Sequence, residues 1–261
     1  RPAPGSEIRF AHAIVADACS VTVPRSWRQD IHYRAVSSIM SVYADPNPHL
    51  ERLAWHSEEA QQYAQALEYL WSAAKNARRN GADESLYLIC RSALRCAENL
   101  PQAEADRYGD IVLLSSPSML QLGFFDGMDR QLARTMDIAR AQGRHDKICG
   151  AQCHLGMLRW FAGAYSEGRD VTAAALETAE VIGAMPLIFS AKIIHTFCLH
   201  AMGQLDEAIR IQRELCETLT GELELSRLGT SWIPSSITHS FLAWSLCDTG
   251  DYKKALSHAE R

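Results

Sequence analysis

The chain has 261 residues, 47% hydrophobic and 22% charged, with a formal net charge of −5. This is the balance of a folded chain rather than a disordered one, and its acidic sign argues against a nucleic-acid platform, which needs a basic surface. No apolar run approaches the roughly 18 residues of a membrane span, and no secretory signal is read.

In chain order, the first segment reads as helical from about Ile8 to Tyr43. Asp45-Pro46-Asn47-Pro48 then breaks the chain, because two prolines so close cannot sit within a helix interior. From His49 the patterning predicts helices over 49–60, 62–79, 82–99, 102–121, 125–142, 145–162, 165–182, 187–202, 205–220, 231–249 and 251–261. Pro101, Gly143, Gly183 with Pro186, and Gly221 mark boundaries among them. The expected organisation is a closing helical segment over 1–46 and a repeat domain over 47–261. The chain opens on an arginine and ends inside a helix, so it reads as a piece of a longer protein.

A period runs through this train. Gly123, Gly163, Gly203 and Gly250 are spaced by 40, 40 and 47 residues. Two residues after them stand Phe125, Tyr165, Leu205 and Tyr252. Seven before them stand the small residues Ser116, Gly156, Thr196 and Ala243. A fainter copy places Ala74 before Gly81. A fixed period of this size is the signature of a helical repeat array. Each unit is a helix ended by a left-handed glycine, a turn packed by the aromatic or leucine, and a second helix running back. The small residue lets a neighbouring helix approach closely. No pair buries its apolar face alone, so the pairs stack. The predicted fold is all-α, a right-handed α-solenoid of helix pairs with repeats of about 40 residues. The stretch Glu222 to Pro234 departs from the period and accounts for the 47-residue spacing. It is either a tolerated insertion or a functional loop.

The units resemble tetratricopeptide repeats with lengthened helices. Gly250-Asp251-Tyr252-Lys253-Lys254-Ala255-Leu256 matches the turn and second-helix start of that motif best, followed by Gly203-Gln204-Leu205-Asp206-Glu207-Ala208-Ile209. Leu155-Gly156 and Leu242-Ala243 match the leucine-plus-small pair of the first helix. Gly168 and Met128 stand where alanine is usual.

A narrower resemblance rests on Arg9-Phe10-Ala11-His12-Ala13-Ile14-Val15, Pro24-Arg25, Arg28 and Ile31-His32. It continues through Leu53-Ala54-Trp55-His56 and Ala66-Leu67-Glu68-Tyr69. These segments are similar to the end of the ATPase module and the first repeats of large bacterial signalling proteins. Such proteins join a class III adenylate/guanylate cyclase or a DNA-binding domain to a STAND-type P-loop ATPase and then to tetratricopeptide repeats. Gly221-Glu222-Leu223, Arg227-Leu228-Gly229, Pro234-Ser235 and Leu242-Ala243-Trp244-Ser245-Leu246 look most like the cyclase branch. Ala16 and Ser20 depart from the pattern, where arginine and tyrosine are common. The resemblance implies a bacterial, cytoplasmic signal-transduction protein whose catalytic modules lie upstream of Arg1.

Little in the chain itself points to chemistry. No GxxxxGK[ST] stretch is present to cradle phosphates, and no cyclase domain with metal-binding aspartates is read. Cys19, Cys90, Cys96, Cys149, Cys153, Cys198, Cys216 and Cys247 fall singly within helical segments, without a CxxC framework, as reduced buried thiols do. The densest set of metal-ligating types is Cys149, Cys153 and His154, with His195 and Cys198 on the adjacent helix. Apolar packing is the simpler account of it, and no metal, cofactor or catalytic residue is assigned. His12, His32 and His56 sit in apolar helical stretches and could titrate near neutrality, or simply pack. Lys75, Arg78, Arg79 and Arg91 read as a solvated basic face.

The first helix of each pair lines the inner face of such arrays. The residues expected there are Trp71, Met157, Trp160, Phe161, Phe197, His200 and Trp244. They form either a partner-binding face or core. The function expected is a non-catalytic interaction and regulatory module that binds a protein partner or the upstream domains. The alternative is an inducer-sensing repeat domain of a STAND-type transcriptional regulator, taking a small molecule.

Overall fold

A computed structural model describes residue 18 and residues 22–100, 106–228 and 233–260. The segment 9–15 with His12, as well as Cys19, Pro101 and Gly229, lies outside the described residues. The described residues form twelve α-helices and no β-strand. They fall into two compact units divided between Ile111 and Val112.

The first unit holds α1 (Arg25–Val42), α2 (Leu50–Glu59), α3 (Tyr63–Arg79), α4 (Asp83–Glu98) and the start of α5 (Asp106–Leu122). Each of α1 to α4 packs on its sequence neighbour. Val36 and Ile39 of α1 close with Leu53 of α2 into a buried cluster, flanked by Tyr43 and Tyr69. The prolines at 46 and 48 act as expected, ending α1 and leaving only a 3-10 turn, Asn47–His49, before α2.

The second unit holds the rest of α5, then α6 (Met128–Ala141), α7 (His145–Phe161), α8 (Tyr165–Ile182), α9 (Met185–Ala201), α10 (Leu205–Thr218), α11 (Pro234–Asp248) and α12 (Tyr252–Ala259). Successive helices from α6 to α12 pack together, and α9 also packs directly on both α7 and α11. The first helices of three pairs thus lie side by side, which is what makes an array an all-α solenoid.

The glycine turns repeat with near-identical geometry. Gly163 has φ +75° and Gly203 φ +76°. In each turn the glycine amide bonds the carbonyl three residues back, and the next amide reaches five back. At α7 these are Gly163 to Trp160 (3.1 Å) and Ala164 to Arg159 (2.9 Å). At α9 they are Gly203 to His200 and Gln204 to Leu199, both 2.9 Å. This double bond pattern closes the orphaned carbonyls of a helix end. The same pair recurs after α2, where the left-handed residue is Gln61 (φ 59°) rather than glycine.

The small residues sit where two helices touch. Ala74, Ser116, Gly156, Thr196 and Ala243 are all buried. A Cβ on Gly156 would collide with the Thr172 methyl of α8. Gly168 departs from the usual alanine for the same reason. Its Cβ would come within 2.8 Å of Cys198 Sγ and 3.2 Å of the Gly156 carbonyl. The two glycines let α7 and α8 approach backbone to backbone.

Two prolines sit in the first turns of helices, where the sequence placed one before its helix and the other inside it. Pro186 lies in the first turn of α9 and Pro234 opens α11, so these helices begin at 185 and 234 rather than at 187 and 231. Proline fits there because the first turn has no use for its missing N–H. The connection after α10 forms a 3-10 turn, Gly221–Leu223, and Ser235 Oγ donates to the Glu224 carbonyl at 2.5 Å.

Candidate functional site

The inner helices α7, α9 and α11 carry a continuous run of rings. Phe125, in the turn after α5, lies 5.6 Å from Phe161, and Phe161 lies 5.0 Å from Trp160. Trp160 approaches Phe197 at 5.7 Å, and Phe197 stacks on Phe241 at 3.8 Å. Phe241 meets Trp244 at 5.6 Å, and Trp244 meets His200 at 4.6 Å. His200 Nε2 lies 3.0 Å from Asp248 Oδ2. Apart from the closer Phe197–Phe241 stack, these distances are those at which aromatic pairs attract beyond simple burial.

The run is not evenly exposed. Phe197 is only 4% exposed, and Met157 of α7 is buried as well. They are packing beneath the face. Trp160, His200 and Phe241 are half-buried. Phe161 at 48% and Trp244 at 49% stand open. The run thus joins one buried ring and two half-buried ones to exposed Phe125, Phe161 and Trp244.

Trp71, expected with the others, belongs to the first unit and has different company. Lys75 Nζ lies 5.6 Å from its ring centre and Arg107 Cζ 5.7 Å. Arg107 in turn pairs with Glu68 at 2.7 Å. Arg91 similarly covers Tyr87 at 5.8 Å. Of the basic residues of this region, Lys75 and Arg91 lie over aromatic faces at cation–π distance while staying exposed.

Phe241 was not singled out in the sequence, although it lies three residues before Trp244 and so shares its helix face.

The histidines and thiols sort by burial. His32 and His56 face each other, Nδ1 to Nδ1 at 2.9 Å, beside Trp55. Burial first, then the charges of His32 and Arg52, lowers the His56 pKa to about 4. His32 is lowered too, chiefly by burial. Burial pushes Cys90 and Cys96 up to about 12 and Cys198 to about 11, so these thiols stay protonated and inert. Cys216 is half-buried and Cys247 exposed, unlike the buried thiols expected.

Of the ligand set read around Cys149, Cys149 and Cys153 touch each other, but no three of its described members converge. Cys149 donates its S–H to the Ala175 carbonyl at 3.2 Å, and His195 Nδ1 pairs with Thr172 Oγ1 at 3.0 Å. A groove of about 430 Å³ lies along α10, α11 and the start of α12. Asp206, Glu214, Glu217 and Asp251 line it with Arg210 and Arg213.

No protein family's sequence profile matches the chain, and no curated protein does. Solved structures do. BtubC (BKLC) of P. vanneervenii superposes with a TM-score of 0.58 at 18% identity, over 88% of this chain and 89% of that one. A Rap protein complexed with Competence and Sporulation Factor gives 0.63 at 13% identity, over 94% of this chain and 67% of that one. A STAND protein with a tetratricopeptide repeat sensor from Pyrococcus horikoshii gives 0.50 at 15% identity, over 88% of this chain and 38% of that one. At these identities the likeness defines the fold. The chain is a tetratricopeptide-like helical-repeat protein, all-α in its described residues. Among the described residues no helix is long and apolar enough to cross a membrane.

Proposed function

We propose that the chain is a non-catalytic interaction module whose contact surface is the aromatic face of α7, α9 and α11. The observation that carries this reading is the unbroken run of rings from Phe125 to Trp244, in which Phe161 and Trp244 are half-exposed. Its occupant is an apolar helix or extended peptide anchored at those two rings, as helix-in-groove recognition uses spaced apolar anchors. The parent is a multidomain signalling protein of the cyclase and STAND ATPase kind, with α1 closing the preceding module and the repeats biasing the upstream domains. The STAND neighbour with its repeat sensor, and the Rap neighbour with its bound factor, support a regulatory role for this architecture.

The inducer-sensing alternative is weaker. Ligand pockets for apolar small molecules are enclosed and mostly hydrophobic. The groove along α10 to α12 is instead lined by charges of both signs.

The test is the double variant Phe161→Ala with Trp244→Ala. Binding is measured against the upstream region of the parent protein, supplied as a separate polypeptide. Removing two anchors is expected to weaken binding by at least about 30-fold, the effect of a single strong hot spot, with the helical circular dichroism signal intact. Unchanged affinity in the folded variant would overturn the assignment.

A further inference from the structure

Three electron-pair donors converge at one end of the last three helices. Cys216 lies in the last turn of α10, His239 in the second turn of α11 and His258 in the last turn of α12. These helices alternate in direction, so the end of α10, the start of α11 and the end of α12 lie at one level. Cys216 Sγ is 3.6 Å from His239 Nδ1, and His239 Nδ1 is 2.9 Å from His258 Nδ1. One ligand atom from each residue lies within 4.8 Å of the other two. The two imidazoles stack with centres 5.1 Å apart, which turns both Nδ1 atoms to the same side. All three residues are half-buried, so an ion can reach them. Among the described residues no other group of three or more such side chains converges in this way.

We propose that Cys216, His239 and His258 form a three-ligand Zn2+ site that ties the last helix to the two before it. At zinc, a sulfur about 2.3 Å and nitrogens about 2.0–2.1 Å from the ion stand about 3.5 Å apart at tetrahedral angles, close to the Cys216–His239 separation. The closer histidine pair corresponds to an angle near 90° at the ion, which a small ring rotation opens. A thiolate with two imidazoles is a donor set for zinc rather than for magnesium or calcium, which take oxygen. Cys216 gives up its thiol proton on binding, and solvent completes the fourth position. The site has a structural purpose. Cys216 and His239 flank the long connection 219–233, where the regular repeat is interrupted and short-turn packing no longer sets the helix spacing. A shared ion would fix α10 to α11 across that interruption.

The test uses Co2+ as a spectroscopic probe and Zn2+ as competitor on the whole chain. Bound Co2+ is expected to show a thiolate charge-transfer band and tetrahedral d–d bands, both erased by Zn2+. Cys216→Ser is expected to abolish the charge-transfer band, while Cys247→Ser leaves it unchanged. His258→Gln should weaken Zn2+ binding by at least about 100-fold, beyond the 10–100-fold that changes outside the ligand shell cost. Because His258 lies near the end of the last helix, this variant also serves if Cys216→Ser fails to fold. Zn2+ should raise the unfolding midpoint of the native chain by several degrees, and of His258→Gln hardly at all. No charge-transfer band would overturn the proposal. So would a band that survives Cys216→Ser or vanishes in Cys247→Ser, or a His258→Gln variant that binds Zn2+ as tightly as the native chain.

Discussion

The two units use the same helix pairs and the same turn, yet they spend their aromatic residues differently. In the second unit the rings touch one another from Phe125 to Trp244 across three stacked inner helices. In the first unit three large rings meet polar partners instead. Trp71 lies between Lys75 and Arg107, Tyr87 lies under Arg91, and Trp55 packs on His32 and His56. The scaffold therefore does not decide what a face can bind. That is decided by whether the rings on adjacent inner helices meet each other or meet cations. A continuous ring surface suits an apolar partner, whereas rings covered by cations do not.

The sharpest way to break this contrast is to remove the centre of the ring run. Phe197→Ala deletes a buried ring with neighbours on both sides and is expected to cost about 3–5 kcal/mol in chemical denaturation. Trp71→Ala in the first unit, where half-exposed cations cover the ring, is expected to cost less than half as much. Equal losses would show that the two faces are energetically alike.

Close helix approach gives the next largest effect. Gly156→Leu drives a side chain into Thr172 and should cost about 3 kcal/mol, at the upper end of ordinary overpacking. Ala243→Leu should cost about 1–3 kcal/mol. Unchanged unfolding midpoints for both would make the small residues incidental.

A pH titration tests the buried histidine pair of the first unit. His56 titrates at about 4 in the folded chain and near 6.5 when unfolded. The unfolded chain binds the extra proton first, so this contribution is intact above 6.5 and is lost as pH falls from 6.5 toward 4. The window is worth about 1–2 kcal/mol after discounting for solvent screening at a half-exposed ring. His56→Gln should flatten stability over that window. A slope that persists in the variant would place its origin elsewhere.

The smallest effect concerns the one left-handed closure without glycine. Gln61→Gly relieves the Cβ strain of a positive φ and should stabilise the chain by up to about 1 kcal/mol. A loss of stability would mean that the glutamine side chain contributes something that outweighs its strain.

The repeat was readable because its signals are local. A left-handed turn calls for glycine, and a close crossing calls for a small residue a fixed distance before it, so 123, 163, 203 and 250 announce the pairs without knowledge of tertiary structure. Where local chemistry was ambiguous the reading slipped by two or three residues, as at Pro186 and Pro234, since proline both ends and begins helices. The aromatic face was half legible. Trp160, Phe161, Phe197, His200 and Trp244 share inner helices by position, but nothing local says that Phe197 is covered while Trp244 is open, or that Trp71 falls under two cations. Cys216, His239 and His258 left no local trace at all. They stand 23 and 19 residues apart on three helices, and only the stacking brings their lone pairs together. Cys149 and Cys153 share one helix face and so drew notice first, yet Cys149 bonds the Ala175 carbonyl.

The central claim is that the open end of the ring run is a contact surface, and photo-crosslinking in the full-length protein tests it most directly. A photoreactive phenylalanine analogue is placed at Trp244, with the same group at Val181, an exposed apolar position in the same unit that lies off the ring run, as control. The account predicts a single major crosslink from position 244, mapping to one apolar segment of the upstream domains or of one partner protein, and none above background from position 181. Equal yields from the two positions, or no crosslink at 244, would contradict it.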